Sequence, residues 1–478
     1  MERAVTANAS FRAAVVVMAL SCAATAFAQD AKTVIEQASK AMGVTGLDAI
    51  TVIGGGGQGN FGQSRTITFG IASTLYANYT RTYDFTGRTA RFTADTTPPA
   101  ARGGTPPPRG KLDQFVRADA PWSQQLQIWV TPWGFLHGAA TNGADVKNRK
   151  IDDTAYKVVT WQTAQKAPSG LPYKVIGYIN ADTNLVDKVE TWVDHPVVGD
   201  EHLEFYYTNY RKFGGVMAPL RMEQRTIGMQ TWVATISTVQ ANPPLEQLLG
   251  TPPPAPVAPP LPPAASEKLA DGVYRITGGY VSLAVEFKDY VVVLEGGQSE
   301  ARGLAVIAET KRLFPAKKIK YVVVTHPHFD HVSGLAPFMA EGITVLCDDN
   351  TKYFIEAAFG TPRTLVGDAF AKSKKKPKVE GVVEKMVLDD ATQRLELHHV
   401  DGLDHSDSML IAYLPKSRIL FTADFRPATE QLDPSLVTLR ENLDRLHLDV
   451  DRVVMVHAPT PDRPMTMADF LRPAKGTD

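Results

Sequence analysis

The stretch Tyr321-Val322-Val323-Val324-Thr325-His326-Pro327-His328-Phe329-Asp330-His331 decides how the second half of this chain folds. Tyr321–Val324 is an apolar, β-branched run, short enough for a buried strand. Four metal-capable side chains follow at once: His326, His328, Asp330 and His331. Alternation along extended backbone sends the two imidazoles of His326 and His328 to the same side. After the chain bends into a helix, Asp330 and His331 turn toward a neighbouring point. One turn can therefore serve two adjacent metals.

Outward from this turn, β and α patterns alternate. Val273–Ile276, Ser282–Phe287 and Val291–Leu294 read as strands, Ser299–Leu313 as a helix, and Ile343–Cys347 as a strand. Leu395–Val400, Met409–Tyr413, Ile419–Thr422 and Arg452–Val456 continue the strands. Three of them feed further donors: Asp404-His405-Ser406, Thr422-Ala423-Asp424 and Val456-His457. Polar residues at the C-terminal ends of strands are where open α/β layers place active sites. His398, His399 and His447 lie beside these elements without matching a ligand station, and Cys347 reads as a small buried residue.

The H-x-H-x-D-H spacing, with a later His, Asp and His in that order, resembles the metallo-β-lactamase superfamily. The resemblance implies a C-terminal αββα sandwich with the site at one edge. It implies that His326, His328 and His405 hold one metal, that Asp330, His331 and His457 hold a second, and that Asp424 bridges. The donors are N and O without S, which suits two divalent ions, zinc foremost, with Fe or Mn also accepted. The expected chemistry is attack of a metal-bridging hydroxide on a carbonyl carbon. Asp330 would be the catalytic residue, orienting the nucleophile and shuttling a proton. The Gly usual before each late ligand is here Asp404, Ala423 and Val456, and the usual Asp of an early strand is Glu295, still able to orient a ligand.

Within the family, a bridging Asp favours the thioesterase, lactonase and phosphodiesterase branches over lactamases, which carry Cys or Ser there. Pro427 stands where lactonases of acyl-homoserine lactones place Tyr. Only Ala458–Asp478 follow His457, short of the helical extension of glyoxalase-II-type thioesterases. The expected substrate is a small ester, lactone, thioester or β-lactam-like amide. Lys352–Lys378 reads as a rim over the site, with Phe354, Phe359, Phe370 and Arg363 as cover and Lys372–Lys378 as a solvated loop.

Pro243–Ser266, dense in proline, reads as a semi-rigid linker. It divides the chain into an α+β pair of domains, 30–242 and 267–478. The first is β-rich after a helix at Ala31–Met42. Its expected strands are Thr66–Phe69, Tyr173–Ile179, Val186–Val193, Leu203–Tyr210, Met217–Arg225 and Thr231–Val239, with a Pro/Gly loop at Thr97–Gly110 expected to be disordered. The strand rhythm resembles the antiparallel half-barrel of periplasmic lipoprotein carriers. Gly54–Gly57 reads as a flexible turn, and His137, His195 and His202 as scattered surface or core histidines.

Arg3 and Arg12, the apolar run Ala13–Leu20 and Ala26-Phe27-Ala28 form the pattern of a signal peptide at 1–28, with lipidation at Cys22 the lesser alternative. Export to the periplasm of a bacterium, or beyond, is the expectation, with no integral membrane segment after cleavage. The chain's 478 residues carry 50 Lys+Arg against 51 Asp+Glu, a net charge of -1, which gives no pull toward nucleic acid. With 2 Cys, neither a disulfide framework nor a thiolate zinc cluster is possible. A G-x-S-x-G nucleophile elbow is absent, and an iron-pair redox reading would need a flavin pattern the chain lacks. The alternative from another class is a periplasmic apolar-ligand binding or sensor protein whose metal domain is a passenger.

Overall fold

The computed structural model describes residues 31–66, 73–99, 108–257, 259–427, 433–458 and 462–471. The expected signal at 1–28 lies outside the described residues, as do most of the expected strand Thr66–Phe69 and the centre of the loop Thr97–Gly110. Among the described residues, strands form three sheets, of eleven, seven and six strands.

The eleven-stranded sheet belongs to the first half and is antiparallel throughout. Its order is set by a meander closed upon its first member: Ala49–Gly59 pairs with Ser73–Asp84 on one side and with Met229–Ala241 on the other. Residues 31–42 are helical, as expected, and join the core of this half. So do helices Trp122–Trp129 and Pro132–Thr141, the second capped by the Thr131 hydroxyl, which accepts from the Gly134 amide. Trp133 and Phe135, both 0% exposed, fill the space between these helices and the sheet.

Gly54–Gly57 is not a turn. It lies inside strand Ala49–Gly59, paired on both sides, with register shifts at Ile53/Gly54 and Gly54/Gly56. The bulge brings the neighbouring backbone in so closely that a Cβ on Gly54 or Gly56 would strike the carbonyl of Thr235 or Val233. Glycine here allows close backbone approach within a strand.

In the second half the seven-stranded sheet runs from Ala265–Ala270 to Val379–Val382. Lys318–Val323 sits near its centre, parallel to Tyr290–Leu294 and to Thr344–Asp348. The six-stranded sheet runs from Lys385–Asp389 to Met465–Thr466. The two sheets share one core, with Leu283, Val292 and Val323 of the first against Leu397, Ile411 and Phe421 of the second. Helix Glu300–Leu313, capped by Ser299, packs with Phe338 and Ile355 on the far side of the seven-stranded sheet. Helix Pro434–Arg445 buries Leu436, Leu439 and Leu443 with the six-stranded sheet. The strands expected in the second half all appear within a few residues of their predicted bounds. Taken whole, the chain is strand-rich.

The stretch between the halves holds a short helix, Leu245–Leu249, and lies along the first sheet, where Arg117 donates to the Pro253 carbonyl at 2.6 Å. No helix among the described residues is long and apolar enough to cross a membrane.

The halves also meet away from this stretch. Val197 and Val198 of the first half are buried in the core of the second. Arg363 donates to the carbonyls of Pro196 and Val197 at 2.7 and 2.9 Å and to Asp368, and Thr364 and Leu365 donate to Asp200. Arg363 is therefore not a rim residue. Phe359 and Phe370, 2% and 3% exposed, are core side chains, because the segment folds as helices Asp349–Gly360 and Ala369–Ser373, whose apolar faces turn inward.

Candidate metal centre

Four strand ends deliver the donors. Lys318–Val323 hands over to Thr325 and His326. His328 then stands at the head of the short helix Phe329–Val332, which carries Asp330 and His331. His405 follows Arg394–His399, Asp424 follows Ile419–Thr422, and His457 follows Arg452–Met455. All seven sequence-predicted donors meet.

His326 Nε2 lies 3.0 Å from His328 Nδ1 and 3.2 Å from His405 Nε2. His331 Nε2 lies 3.3 Å from His457 Nε2 and 3.5 Å from Asp330 Oδ2. Asp424 touches both groups: its Oδ2 is 2.8 Å from His331 and 3.3 Å from His326, and its Oδ1 is 3.1 Å from His457. Within each of three triplets, His326/His328/His405, His326/His331/Asp424 and Asp330/His331/His457, the donor atoms lie within 4.8 Å of one another.

This arrangement fits metal better than hydrogen bonding. Bonds of about 2.0–2.1 Å to a tetrahedral cation put its ligands about 3.3 Å apart, the spacing of these nitrogens. Three imidazole nitrogens aimed at one point cannot all be satisfied by one another. Asp424 Oδ2, His331 Nδ1 and Glu295 Oε2 are buried without a hydrogen-bond partner. Burial, reinforced by the neighbouring imidazoles, pushes His326 well below the usual histidine range, and burial followed by His405 takes His328 down to about 4. Both rings thus keep a free lone pair. Burial opposes charge on His331 too, but Glu295 and Asp424 outweigh it and raise the ring to about 10. Burial likewise raises Asp424, yet His331 and His457 hold it far below the carboxylate range.

Two acidic residues here have left-handed backbone, Glu295 at φ 66° and Asp424 at φ 56°. Such strain in non-glycine residues marks positions that the surroundings over-determine. Glu295, fully buried, accepts from the Thr325 amide at 2.8 Å and hydroxyl at 2.5 Å, and its other oxygen sits 3.4 Å from His331 Nδ1. It therefore faces His331 across 3.4 Å and grips Thr325, the residue before His326.

Several neighbours were not foreseen. Tyr280 donates its hydroxyl to Asp330 Oδ2 at 3.0 Å and packs edge-on against the His457 ring. Burial and the charge of Asp330 push its pKa up, so it remains a donor. Arg302, 1% exposed, holds the Tyr280 loop by donating to the carbonyls of Ile276, Thr277 and Tyr280. The first half contributes as well. Gln63 Nε2 donates to Asp330 Oδ1 at 2.6 Å, and the Ser64 carbonyl lies 3.0 Å from His328 Nε2. That contact makes Nε2 the protonated nitrogen and leaves Nδ1 facing the other donors. Arg65 donates to the Leu403 carbonyl and stands 3.7 Å from Asp404. No local sequence signal marks Gln63–Arg65; the fold alone brings them here. An open cleft of about 580 Å³ beside the donors is lined by Arg65, His405, Asp424, Arg426, Asp433 and Ser435, among others.

Most of the remaining histidines have ordinary partners. His137 bonds the Leu47 carbonyl, His195 accepts from Val197 and Val198, and His399 meets Asp348 at 2.6 Å. Glu190, His202 and Glu204 also converge, but Lys188 fills that place at 3.0 and 2.5 Å from the two carboxylates.

Residues 276–457 match the family model described as "Metallo-beta-lactamase superfamily". Among solved structures the chain is similar to a metallo-beta-lactamase from Pontibacter korlensis, with 18% identity and a TM-score of 0.34 over 43% of this chain and 95% of that one. It is similar to DIM-1 metallo-beta-lactamase, with 18% identity and a TM-score of 0.35 over 44% and 95%. It is also similar to the metallo-beta-lactamase FIM-1 from Pseudomonas aeruginosa in its mono-zinc form, with 15% identity and a TM-score of 0.34 over 44% and 93%. No curated protein matches.

Proposed function

Starting from a C-terminal half that is a metallo-β-lactamase superfamily domain, we propose that this chain is an exported dinuclear metal-dependent hydrolase acting on a small ester, lactone, thioester or β-lactam-like amide. The observation that carries the reading is the convergence of seven N and O donors from four strand ends, with Asp424 in contact with both groups.

His326, His328 and His405 would hold one divalent ion and Asp330, His331 and His457 the other, with Asp424 shared and zinc the best match to the imidazoles. When bound, such a pair supplies water activation near neutral pH and polarisation of the scissile carbonyl. The chain does the rest. Asp330, fixed on one oxygen by Gln63 and on the other by Tyr280, is positioned to take up a proton and pass it to the departing atom. Glu295 sets its negative charge beside the His331 ring, and the Ser64 carbonyl fixes the tautomer of His328. Arg65 and Arg426 share the cleft with Asp404, Asp424 and Asp433, so its wall offers charges of both signs to a polar substrate.

The test is a panel of nitrocefin, thioesters, lactones and bis-p-nitrophenyl phosphate, run on metal-replete protein with His326→Ala and Asp424→Ala alongside. We expect about two equivalents of metal in the parent protein, loss of at least one in each variant, and loss of turnover by at least ~100-fold. Equal turnover by parent and variants would leave the binding or sensor reading in its place. The mass of the exported form, expected to begin at Gln29, tests export.

A further inference from the structure

Strand Ser73–Asp84 carries Tyr79, Arg81 and Tyr83 on alternate positions, and hence on one face of the eleven-stranded sheet. Tyr79 and Tyr83 are 0% and 1% exposed and belong to the core of the first half. An arginine between them breaks a core-facing row, and such a break needs a reason. The Arg81 guanidinium lies over the rings of Phe92, Tyr83 and Trp232, with its carbon 5.0, 5.7 and 6.0 Å from their centroids. It donates to Gln127 Oε1 and, among the described residues, has no carboxylate partner.

Arg81 lines a cavity of about 180 Å³. Its apolar wall includes Phe92, Met222 and Trp232, and its polar wall Gln58, Gln114 and Gln224; no acidic residue lines it. A guanidinium has five N–H donors in a planar fork, of which the protein uses a fraction here. The guanidinium is half-buried, and no carboxylate lining the cavity offsets its charge. The fork matches a carboxylate through two parallel bonds, and the rings offer an apolar bed for what the carboxylate is attached to. A cavity of about 150 Å³ accepts benzene, so this one admits a body of about seven or eight heavy atoms.

We infer that this cavity in the first half binds the carboxylate of a small apolar acid, an alkyl or aryl monocarboxylate, on Arg81. The inference is independent of the metal centre.

Calorimetric titration of the metal-loaded full chain with hexanoate, hexan-1-ol and inorganic phosphate tests it. Hexanoate is expected to bind at one saturable site, with hexan-1-ol and phosphate at least ~10-fold weaker, since the charge-assisted fork is lost or the apolar bed unused. Arg81→Gln is expected to weaken hexanoate at least ~10-fold while leaving hydrolysis at the metal centre unchanged. Arg81→Lys is expected to fall between, keeping the charge without the fork. Met222→Trp, which fills the cavity, should abolish binding. Hexanoate bound elsewhere, the metal centre included, would persist in Arg81→Gln, and that result overturns the inference. So do equal affinities for hexanoate and hexan-1-ol, preference for phosphate, or no binding to the parent protein at 10 mM, a concentration on the order of the weakest useful ligand affinity. Should Arg81→Gln fail to unfold cooperatively, a well-folded Met222→Trp that still binds hexanoate like the parent overturns it instead.

Discussion

Tyr280 shows how one hydroxyl can matter next to a metal centre without belonging to it. It donates to Asp330 at 3.0 Å, and its ring packs on His457. Tyr280→Phe keeps the ring and removes the donor. It should leave metal content unchanged and lower kcat about 10- to 100-fold, the worth of one hydrogen bond to a charged group. Steady-state kinetics beside metal analysis separates the two effects. Glu190 gives a prediction about stability. Burial would raise its pKa, but His202, Tyr178 and Lys188 outweigh that and hold it at about 2. Its contribution is complete above the unfolded carboxylate value near 4.5 and fades as pH falls toward 2. Thermal melts at pH 6, 4 and 3 should show the parent losing more stability than Glu190→Gln, by on the order of 3 kcal/mol at most. The seven donors were legible in the sequence because four crowd one turn after an apolar strand and three follow later apolar strands in order. Tyr280, Gln63 and Arg81 were not, because a single polar residue in a loop or strand carries no spacing that distinguishes it from an ordinary one.

At the scale of elements, the loop 60–66 reaches from strand Ala49–Gly59 into the metal centre. Phe61 packs edge-on against Phe329, and the Phe329 amide donates to the Gly62 carbonyl at 3.0 Å. Gly62 has φ 87°, and a Cβ there would collide with the Phe329 ring. Gly62→Val combines backbone strain with overpacking, each worth about 1–3 kcal/mol. It should loosen the loop, weaken metal retention in a chelator competition and lower turnover together. Strands of the second half were read correctly since short apolar runs between turn residues admit little else. The glycine-rich strand was misread because Gly is a turn former by itself and a strand residue only when a neighbour presses close. Phe359 and Phe370 were misplaced on a rim for a similar reason: local sequence shows that a side chain is apolar, not which way its helix faces.

For the molecule as a whole, the question is whether the two halves stand independently. Arg363, 8% exposed, ties the turn at Pro196 and Val197 to the second half through two main-chain carbonyls and Asp368. Arg363→Ala leaves those acceptors unpaired and should cost about 3 kcal/mol. If the halves depend on one another, chemical denaturation will show one transition shifting as a unit; a shift confined to one of two transitions would show them independent. The division near Pro243–Ser266 was legible from composition, whereas the contacts across it were not, because they are made by residues far from it in the chain. The pairing of Ile50 with Ala241 has a consequence of its own. A chain that folds from its leading end must hold Ala49–Gly59 with one flank bare until Met229–Ala241 arrives, so sheet closure is a late and slow event. Assembly of the wall that Gln63–Arg65 form beside the donors then waits on a strand about 170 residues downstream, and an interrupted chain would be the species most exposed to aggregation.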